Sequence, residues 1–455
     1  MNRKMDFMNT VSAAQAAGGQ AMNGKAVFSG FATDSRDVKE GDMFLCIRGE
    51  RTDGHLYVAS AEENGASCFF CEEEIPTKLP YIKVPSVVEG LQKMALAHRK
   101  TRLCETKIAA VTGSVGKTTT KEFTAAVLSE GFSTYKTRGN KNSETGLPIT
   151  ILETERAHGA AVTEMGMSGL GEISVLSKIA LPDIGIITNI GLSHIEHLKT
   201  RENILKAKTE IIDGMAHGSP LLVNGDDDLL SCWNGWDCMY RFAVRNPDAD
   251  FRAEEIEAKE DGVSFTVVFG GQKVPATIPL TGVHNVYNAL AAVGAGVLLG
   301  IPLEKCVNGL KNYVSPPMRQ KIYETKGFTI FEDCYNAVPD SVIASLAVLR
   351  RMKGRKIALL GDMLELGEMS ADLHRMVGEN LNGIDRLVCY GDYAEDYAAG
   401  ARKAGLAPEM IYIAANREEA LQALLSVAEK GDAILFKASR GMHAEEVLQN
   451  FIAAY

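Results

Sequence analysis

The plainest chemistry in this 455-residue chain lies between residues 108 and 120. There an apolar run, Ile108-Ala109-Ala110-Val111-Thr112, turns through Gly113-Ser114-Val115-Gly116 into Lys117-Thr118-Thr119-Thr120. A strand, a glycine-rich turn and a helix in that order aim backbone N–H groups and the positive end of a helix dipole at an anion. Glycine lets the backbone come close to a phosphate, a lysine at the helix start reaches the β- and γ-phosphates, and the next threonine offers its hydroxyl to Mg2+. The spacing is Gly-x-x-Gly-Lys-Thr, shorter than the common phosphate loop, whose first glycine would fall at Val111. A chance Gly-Lys-Thr would lack the strand before it and the helix after it, here read over 121–130. The segment therefore predicts polyphosphate binding at Lys117, with Thr118 turned toward a metal ion.

A magnesium ion carrying nucleotide phosphates takes oxygen ligands, usually including one or two carboxylates. Glu164 ends the apolar run 160–163, and His194 stands in Asn189-Ile190-Gly191-Leu192-Ser193-His194-Ile195-Glu196-His197, after the run 184–188. At the carboxyl edge of an open α/β sheet, both side chains would emerge beside the phosphate loop. Taken singly, a strand-ending Glu is often only solvated, a lone His is more often structural, and His194 with His197 imitates a zinc pair. Lys117, Glu164 and His194 at three successive strand ends favour a two-cation nucleotide site over zinc. Lys206-Ala207-Lys208-Thr209-Glu210, on its own residues, reads as a solvated charged helix face.

The elements that must position these groups follow from the alternation of apolar runs with helical patterns. Runs at 108–112, 160–163, 184–188 and 221–223 predict a parallel sheet with crossovers. A β-rich patch over 251–278 turns at Gly270-Gly271 as a hairpin and leads into a helix over 285–299. Upstream, short β-like runs at 42–48 and 66–70 and a helix over 88–98 form a smaller α/β unit. Ser315-Pro316-Pro317-Met318 marks a junction, beyond which strands at 356–360, 386–390 and 433–436 begin a second parallel-sheet unit. Because single cores stop growing near ~250–300 residues, the reading is an α/β protein of three domains, 1–104, 105–315 and 316–455.

Composition narrows the function classes. With 46% hydrophobic and 23% charged residues the chain is an ordinary folded one, and its net charge of −10 argues against a nucleic-acid binder, which needs a basic face. No stretch approaches the ~20 uninterrupted apolar residues of a membrane span. Arg3 and Lys4 precede a segment broken by Asp6, Asn9, Thr10 and Gln15, so no secretory leader forms and a cytoplasmic protein is expected. Nine scattered cysteines fit reduced thiols. Cys68 and Cys71 have no second pair to complete a zinc site and are followed by Glu72-Glu73-Glu74, so they read as buried strand cysteines. Heptads and long apolar helices are absent from the pattern, which leaves a monomer as the expectation.

Over essentially its whole length the chain resembles the Mur ligase family, ATP-dependent amide-bond-forming enzymes of peptidoglycan synthesis. The resemblance is carried by Thr33-Asp34-Ser35-Arg36, the 49–55 string ending in His55, residues 112–119, Gly139-Asn140-Lys141-Asn142, Glu164-Met165-Gly166-Met167 and residues 188–197. Further along stand Gly282-Val283-His284-Asn285-Val286-Tyr287-Asn288, Asp333-Cys334-Tyr335-Asn336, Leu360-Gly361-Asp362-Met363-Leu364-Glu365-Leu366-Gly367 and Lys437-Ala438-Ser439-Arg440.

The resemblance implies a UDP-sugar-binding first domain, a central ATP-binding domain and a Rossmann-like third domain. It implies ATP phosphates on Lys117 and on the loop of Gly113, Ser114, Val115, Gly116, Thr118 and Thr119. One Mg2+ would sit on Thr118 and Glu164 and a second on His194, joined by Lys208 where that lysine is carbamylated. His284, Asn285 and Asn288 match an adenine-contacting motif, Arg319 an arginine that reaches the γ-phosphate, and Asp333, with Asn336 in the same string, a ribose-binding aspartate. The catalytic set so implied is Lys117, His194, Lys208 and Arg319. Asp34, Ser35, Arg36 and His55 fall where the family grips the UDP-sugar, and Asn140 and Asn142 face the muramoyl-peptide. Ser439 and Arg440, just after a third-domain strand, are candidates for the incoming amine substrate. Val338 stands where the family often has Asn, so a side-chain contact there does not carry over. The Asp-Asn-Pro-Arg string of the members that add a diamino acid is absent. Within the family the resemblance is closest to the members that join D-alanyl-D-alanine to UDP-N-acetylmuramoyl-tripeptide through an acyl phosphate, and the missing string favours them over those siblings. A non-catalytic phosphate-loop protein is the rival from another class, and loss of Lys117, Glu164 or His194 would have favoured it.

Overall fold

Apolar strands separated by glycine turns assemble into three sheets. The computed structural model describes residues 9–49, 52–259 and 262–455. Glu50 and Arg51 of the 49–55 string, and Arg3, Lys4 and Asp6 near the start, lie outside the described residues.

The central sheet has nine strands. From the edge strand Thr134–Lys136 it runs through Ala160–Glu164, Lys107–Thr112, Ile184–Ile187, Leu221–Asn224 and Met239–Ala243 to Phe251–Lys259, every neighbouring pair parallel. Gly262–Phe269 and Gln272–Ile278 then close it as antiparallel strands. Ile108, Ala109, Ala110 and Val111 are all fully buried, as expected for a parallel strand covered on both faces. The helices Lys117–Leu128 and His284–Leu298 pack together over one face. After Lys107–Thr112 the chain builds Thr134–Lys136 and Ala160–Glu164 on one side and Ile184–Ile187 on the other. The phosphate loop thus sits at the point where strand order reverses, where open α/β sheets form a crevice outside their carboxyl ends.

The first sheet has five strands, ordered Gln20–Met22, Tyr81–Lys83, Cys68–Cys71, Asp42–Leu45 and Gly30–Ala32, with only the first pair antiparallel. Cys68 and Cys71 are buried in it, and burial pushes both thiols up to about 12. The third sheet pairs the hairpin Lys321–Thr325 and Phe328–Glu332 with parallel Ala433–Lys437, Lys356–Gly361, Arg386–Tyr390 and Ile411–Ala414. The helix read over 121–130 begins earlier, at Lys117, because Gly116 in a left-handed conformation (φ 83°) starts the first turn directly. Among the described residues no helix is long and apolar enough to cross a membrane.

Candidate active site

The phosphate loop is wedged between two polar side chains, and this explains both of its glycines. Gly113 has φ 145°, and a Cβ there would stand 1.9 Å from Thr188 Oγ1. A Cβ on Gly116 would stand 2.6 Å from Asn288 Oδ1. Asn189 clasps the loop: its carbonyl accepts the Ser114 N–H (3.0 Å), its Oδ1 accepts the Val115 N–H (2.9 Å) and its Nδ2 donates to the Val115 carbonyl (3.0 Å). Lys117 opens the helix and folds back, its Nζ donating to the carbonyls of Gly113 (2.8 Å) and Ser114 (3.2 Å). Burial pushes its ammonium below the ordinary lysine value; the carboxylate of Glu164 opposes this and the nearby Arg319 adds to it.

Glu164 ends its strand only 2% exposed. Oε1 accepts from Asn142 Nδ2 at 2.9 Å, whereas Oε2 has no hydrogen-bond partner and lies 3.8 Å from Lys121 Nζ. A buried carboxylate oxygen left without a donor is costly unless a cation meets it, and a hard divalent ion is the ligand that suits it. Thr118 lines the same cavity. Among the described residues no group of three or more His, Cys, Asp or Glu is gathered for a metal, so an ion here would need phosphate or other oxygens to complete its shell.

The 206–210 segment departs from its reading as a solvated face: Lys206 is exposed but Lys208 is 1% exposed. Burial and the charge of Lys117 push the Lys208 ammonium well below the ordinary value. His194 caps the short helix Ile195–Leu198 with φ 62°. Its Nδ1 lies 2.6 Å from Oε2 of Glu365, on the loop after Lys356–Gly361, yet without good hydrogen-bond alignment. The His194 ring holds the Glu365 carboxyl below its usual range, with Lys117 also contributing.

At the junction, Met318 and Gln320 both take positive φ (60° and 47°) around Arg319, whose guanidinium lies over the Tyr335 ring at 3.9 Å. Gln320 Nε2 donates to His284 Nε2 (2.9 Å), and its Oε1 accepts from Asn285 Nδ2 (2.7 Å). Burial lowers the His284 pKa, which fits a neutral ring accepting at Nε2. Asn285 Oδ1 accepts from Asn288 Nδ2, and Asn288 Oδ1 from Thr120 Oγ1, both at 3.1 Å. Asp333 Oδ1 accepts the Gln320 N–H (3.2 Å), while Oδ2 meets Lys437 Nζ (2.6 Å) and Ser345 Oγ (2.7 Å).

One cavity of about 940 Å3 collects most of these groups. Ser114, Val115, Gly116, Lys117, Thr118, Thr119, Asn140, Asn142, Glu164, His194, His284 and Asn288 line it from the central domain, and Arg319, Asp333 and Asn336 from the junction and the third domain. Gly113, Asn285 and Lys208 do not line it. Neither do the first-domain residues. Asp34 caps the turn Ser35–Asp37 and pairs with the exposed Arg36 at 2.5 Å, whose guanidinium holds its carboxyl at about 2. His55 is committed internally: Nε2 accepts the Glu72 N–H (3.0 Å) and Nδ1 meets Asp53 Oδ1 (2.6 Å). Ser439 Oγ accepts the Leu364 N–H (2.9 Å), and Arg440 pairs with Glu445 (2.9 Å). Sequence reasoning left Gln320, Lys437 and Glu365 without roles. The last two stand as charges inside strings already singled out, a usable signal; Gln320 has none beyond its place beside Arg319.

Known proteins match along the full set of domains. The family described as Mur ligase family, catalytic domain, matches residues 27–99, Mur ligase middle domain matches 111–296, and Mur ligase, glutamate ligase domain matches 318–440. A UDP-N-acetylmuramoyl-tripeptide--D-alanyl-D-alanine ligase of Bacillus subtilis is 37% identical over 436 residues, 94% of each chain. The enzyme of that name from Escherichia coli is 31% identical over 92% of each chain. Among solved structures, MurF from Acinetobacter baumannii is similar with a TM-score of 0.87 at 29% identity, covering 98% of both chains. A MurF ligase from Thermotoga maritima in complex with ADP gives 0.80 at 30% identity, covering 93% of this chain and 97% of that one.

Proposed function

The chain belongs to the Mur ligase family, and we propose that its cleft uses ATP to join D-alanyl-D-alanine to UDP-N-acetylmuramoyl-tripeptide. The products are UDP-N-acetylmuramoyl-pentapeptide, ADP and phosphate, a step of cell-wall precursor synthesis. The observation that carries the reading is the meeting in one cavity of the phosphate loop, Glu164 with its open Oε2, and Arg319 from the junction.

Making an amide from a carboxylate needs a leaving group better than hydroxide. The terminal carboxylate of the tripeptide attacks the γ-phosphate of ATP, ADP leaves and an acyl phosphate forms. The amine of D-alanyl-D-alanine then attacks the carbonyl, and phosphate leaves from the tetrahedral intermediate. The protein's share is positioning and charge neutralisation. Lys117 exchanges its contacts with the Gly113 and Ser114 carbonyls for phosphate oxygens, and Arg319 opposes charge on the transferred group. Mg2+, when bound, neutralises phosphate charge and polarises the γ-phosphoryl group. Thr118 and Glu164 would hold one ion, His194 and Lys208 a second. A buried lysine kept neutral is a nucleophile for CO2, and the carbamate formed as the amine loses a proton supplies carboxylate-like oxygens.

His284 and Asn288 serve the adenine side with Asn285 behind them, and Asp333 and Asn336 the ribose. Asp34, Ser35 and Arg36 take the UDP end, where His55, with both nitrogens engaged, shapes the loop. Asn140 and Asn142 face the muramoyl-peptide, and Ser439 and Arg440 the dipeptide. Domain boundaries at 104/105 and 315/316, a monomer and a cytoplasmic site of action complete the proposal. Phosphate release from Mg-ATP, measured with the tripeptide and the dipeptide each alone and then together, tests it. Release that needs both, with a product heavier by one dipeptide, is expected; release indifferent to the dipeptide would overturn the reading.

A further inference from the structure

The loop after the third-domain strand Lys356–Gly361 meets the central domain with backbone and side chain together. The Glu365 carbonyl accepts the Glu196 N–H at 3.3 Å. Two residues on, Gly367 packs so closely that a Cβ would meet Glu196 atoms at 3.2 Å. Glu365 has φ 63°, and this turn brings its Oε2 to 2.6 Å from His194 Nδ1. His194 itself has φ 62° at the head of its short helix. A loop docked at several points is a different object from a lone surface ion pair, which carries little energy.

The two nitrogens of an imidazole do different work. A carboxylate at Nδ1 keeps the proton there, fixes the plane of the ring and leaves Nε2 with the lone pair that a cation needs. The Nδ1–H is not yet aligned with Glu365, and site hydrogen bonds of this kind tighten when ligands arrive.

We propose that Glu365 is a positioning residue for the second cation of the cleft: from the third domain it sets the tautomer and orientation of His194, so that a cation on His194 depends on the third domain being docked. The proposal rests on the reading of His194 as a cation ligand given above. It makes the metal site report domain position, since the ligand lies on one domain and its orienting carboxylate on another.

The test is Mn2+ binding to the full chain with saturating ADP, followed by electron paramagnetic resonance. It compares the natural chain with Glu365→Ala, Glu365→Gln and, as a control for loss of charge, Glu368→Ala, an exposed acid on the same loop. Glu365→Ala should weaken the second Mn2+ site roughly 10- to 100-fold. Glu365→Gln, which keeps an acceptor oxygen, should weaken it less, and Glu368→Ala should leave it unchanged. Thermal midpoints should stay together, because the Glu365 side chain is 51% exposed. In a His194→Ala background, Glu365→Ala should add no further loss, as for residues that act as one unit. Equal Mn2+ affinity in Glu365→Ala and the natural chain, or an equal loss with and without His194, overturns the proposal and leaves the ligase reading standing. A natural chain that takes up no second Mn2+ with ADP overturns it by removing its premise, the two-cation site.

Discussion

Lys117, proposed above to hold the ATP phosphates, is engaged by its own loop. Its ammonium is turned onto two carbonyls of that loop and pushed below the ordinary lysine value by burial, contacts that phosphate oxygens would replace. Replacing it with Met keeps the bulk and removes a half-buried charge. Lys117→Met should therefore lower kcat by about 100- to 1000-fold, the usual scale for one donor to a reacting oxyanion, while the thermal midpoint stays level or rises. Steady-state kinetics beside a melting curve check both halves. At this scale the sequence was most informative where residue and strand end are adjacent: Lys117, Glu164 and His194 line one cavity because three neighbouring strands deliver them there. The resemblance set His55 beside the UDP-sugar but gave no sign that both of its nitrogens are engaged, by Asp53 and by the Glu72 N–H. No spacing rule reports whether a histidine is already engaged.

At the scale of elements, Asp226 ties together a strand end, the 244–246 loop and a helix that borders the cleft. It follows the strand Leu221–Asn224, and its carboxylate accepts the N–H groups of Val244, Arg245 and Asn246 and the hydroxyl of Tyr287, all at 2.8 Å. Tyr287 lies in the helix that begins at His284. Burial alone would raise its pKa, but these donors overcome it and hold the carboxyl below the ordinary value. A carboxyl with a folded value below its unfolded one contributes stability above the unfolded value and loses that contribution as pH falls through the folded one. Asp226→Asn should thus cost about 1–3 kcal/mol at neutral pH, and the difference from the natural chain should shrink below about pH 4. Urea unfolding at the two pH values measures it.

Among the elements themselves, the runs at 108–112, 160–163, 184–188 and 221–223 match strands because parallel strands buried on both faces are continuously apolar. Thr134–Lys136 escaped notice, being a three-residue edge strand with only its middle residue buried. Met239–Ala243 escaped for a related reason: it opens with three half-buried residues and gives no strong apolar run.

The molecule as a whole is a cleft completed from two sides. Its central domain supplies the phosphate loop, and the junction reaches back through Gln320, which bonds His284 and Asn285. Breaking those two bonds with Gln320→Ala should raise KM for ATP roughly 30-fold, each net hydrogen bond contributing about 1 kcal/mol, with the melting temperature little changed. An unchanged KM would show that the junction does not steady the adenine side. This scale was the least legible in the sequence. Three domains follow from chain length and texture, but no local pattern states that a loop near residue 365 meets one near residue 194. Such pairings are set by how rigid units dock, and they show only in three dimensions.

In the proposed reaction the tripeptide carboxylate is activated on phosphate in this cleft before the amine attacks. The most direct test supplies UDP-N-acetylmuramoyl-tripeptide with both oxygens of its terminal carboxylate replaced by 18O, together with Mg-ATP and D-alanyl-D-alanine, and weighs the products. Attack on the γ-phosphate followed by aminolysis predicts one 18O in each phosphate released and one retained in the new amide. Phosphate released without the label would contradict activation of the carboxylate on phosphate.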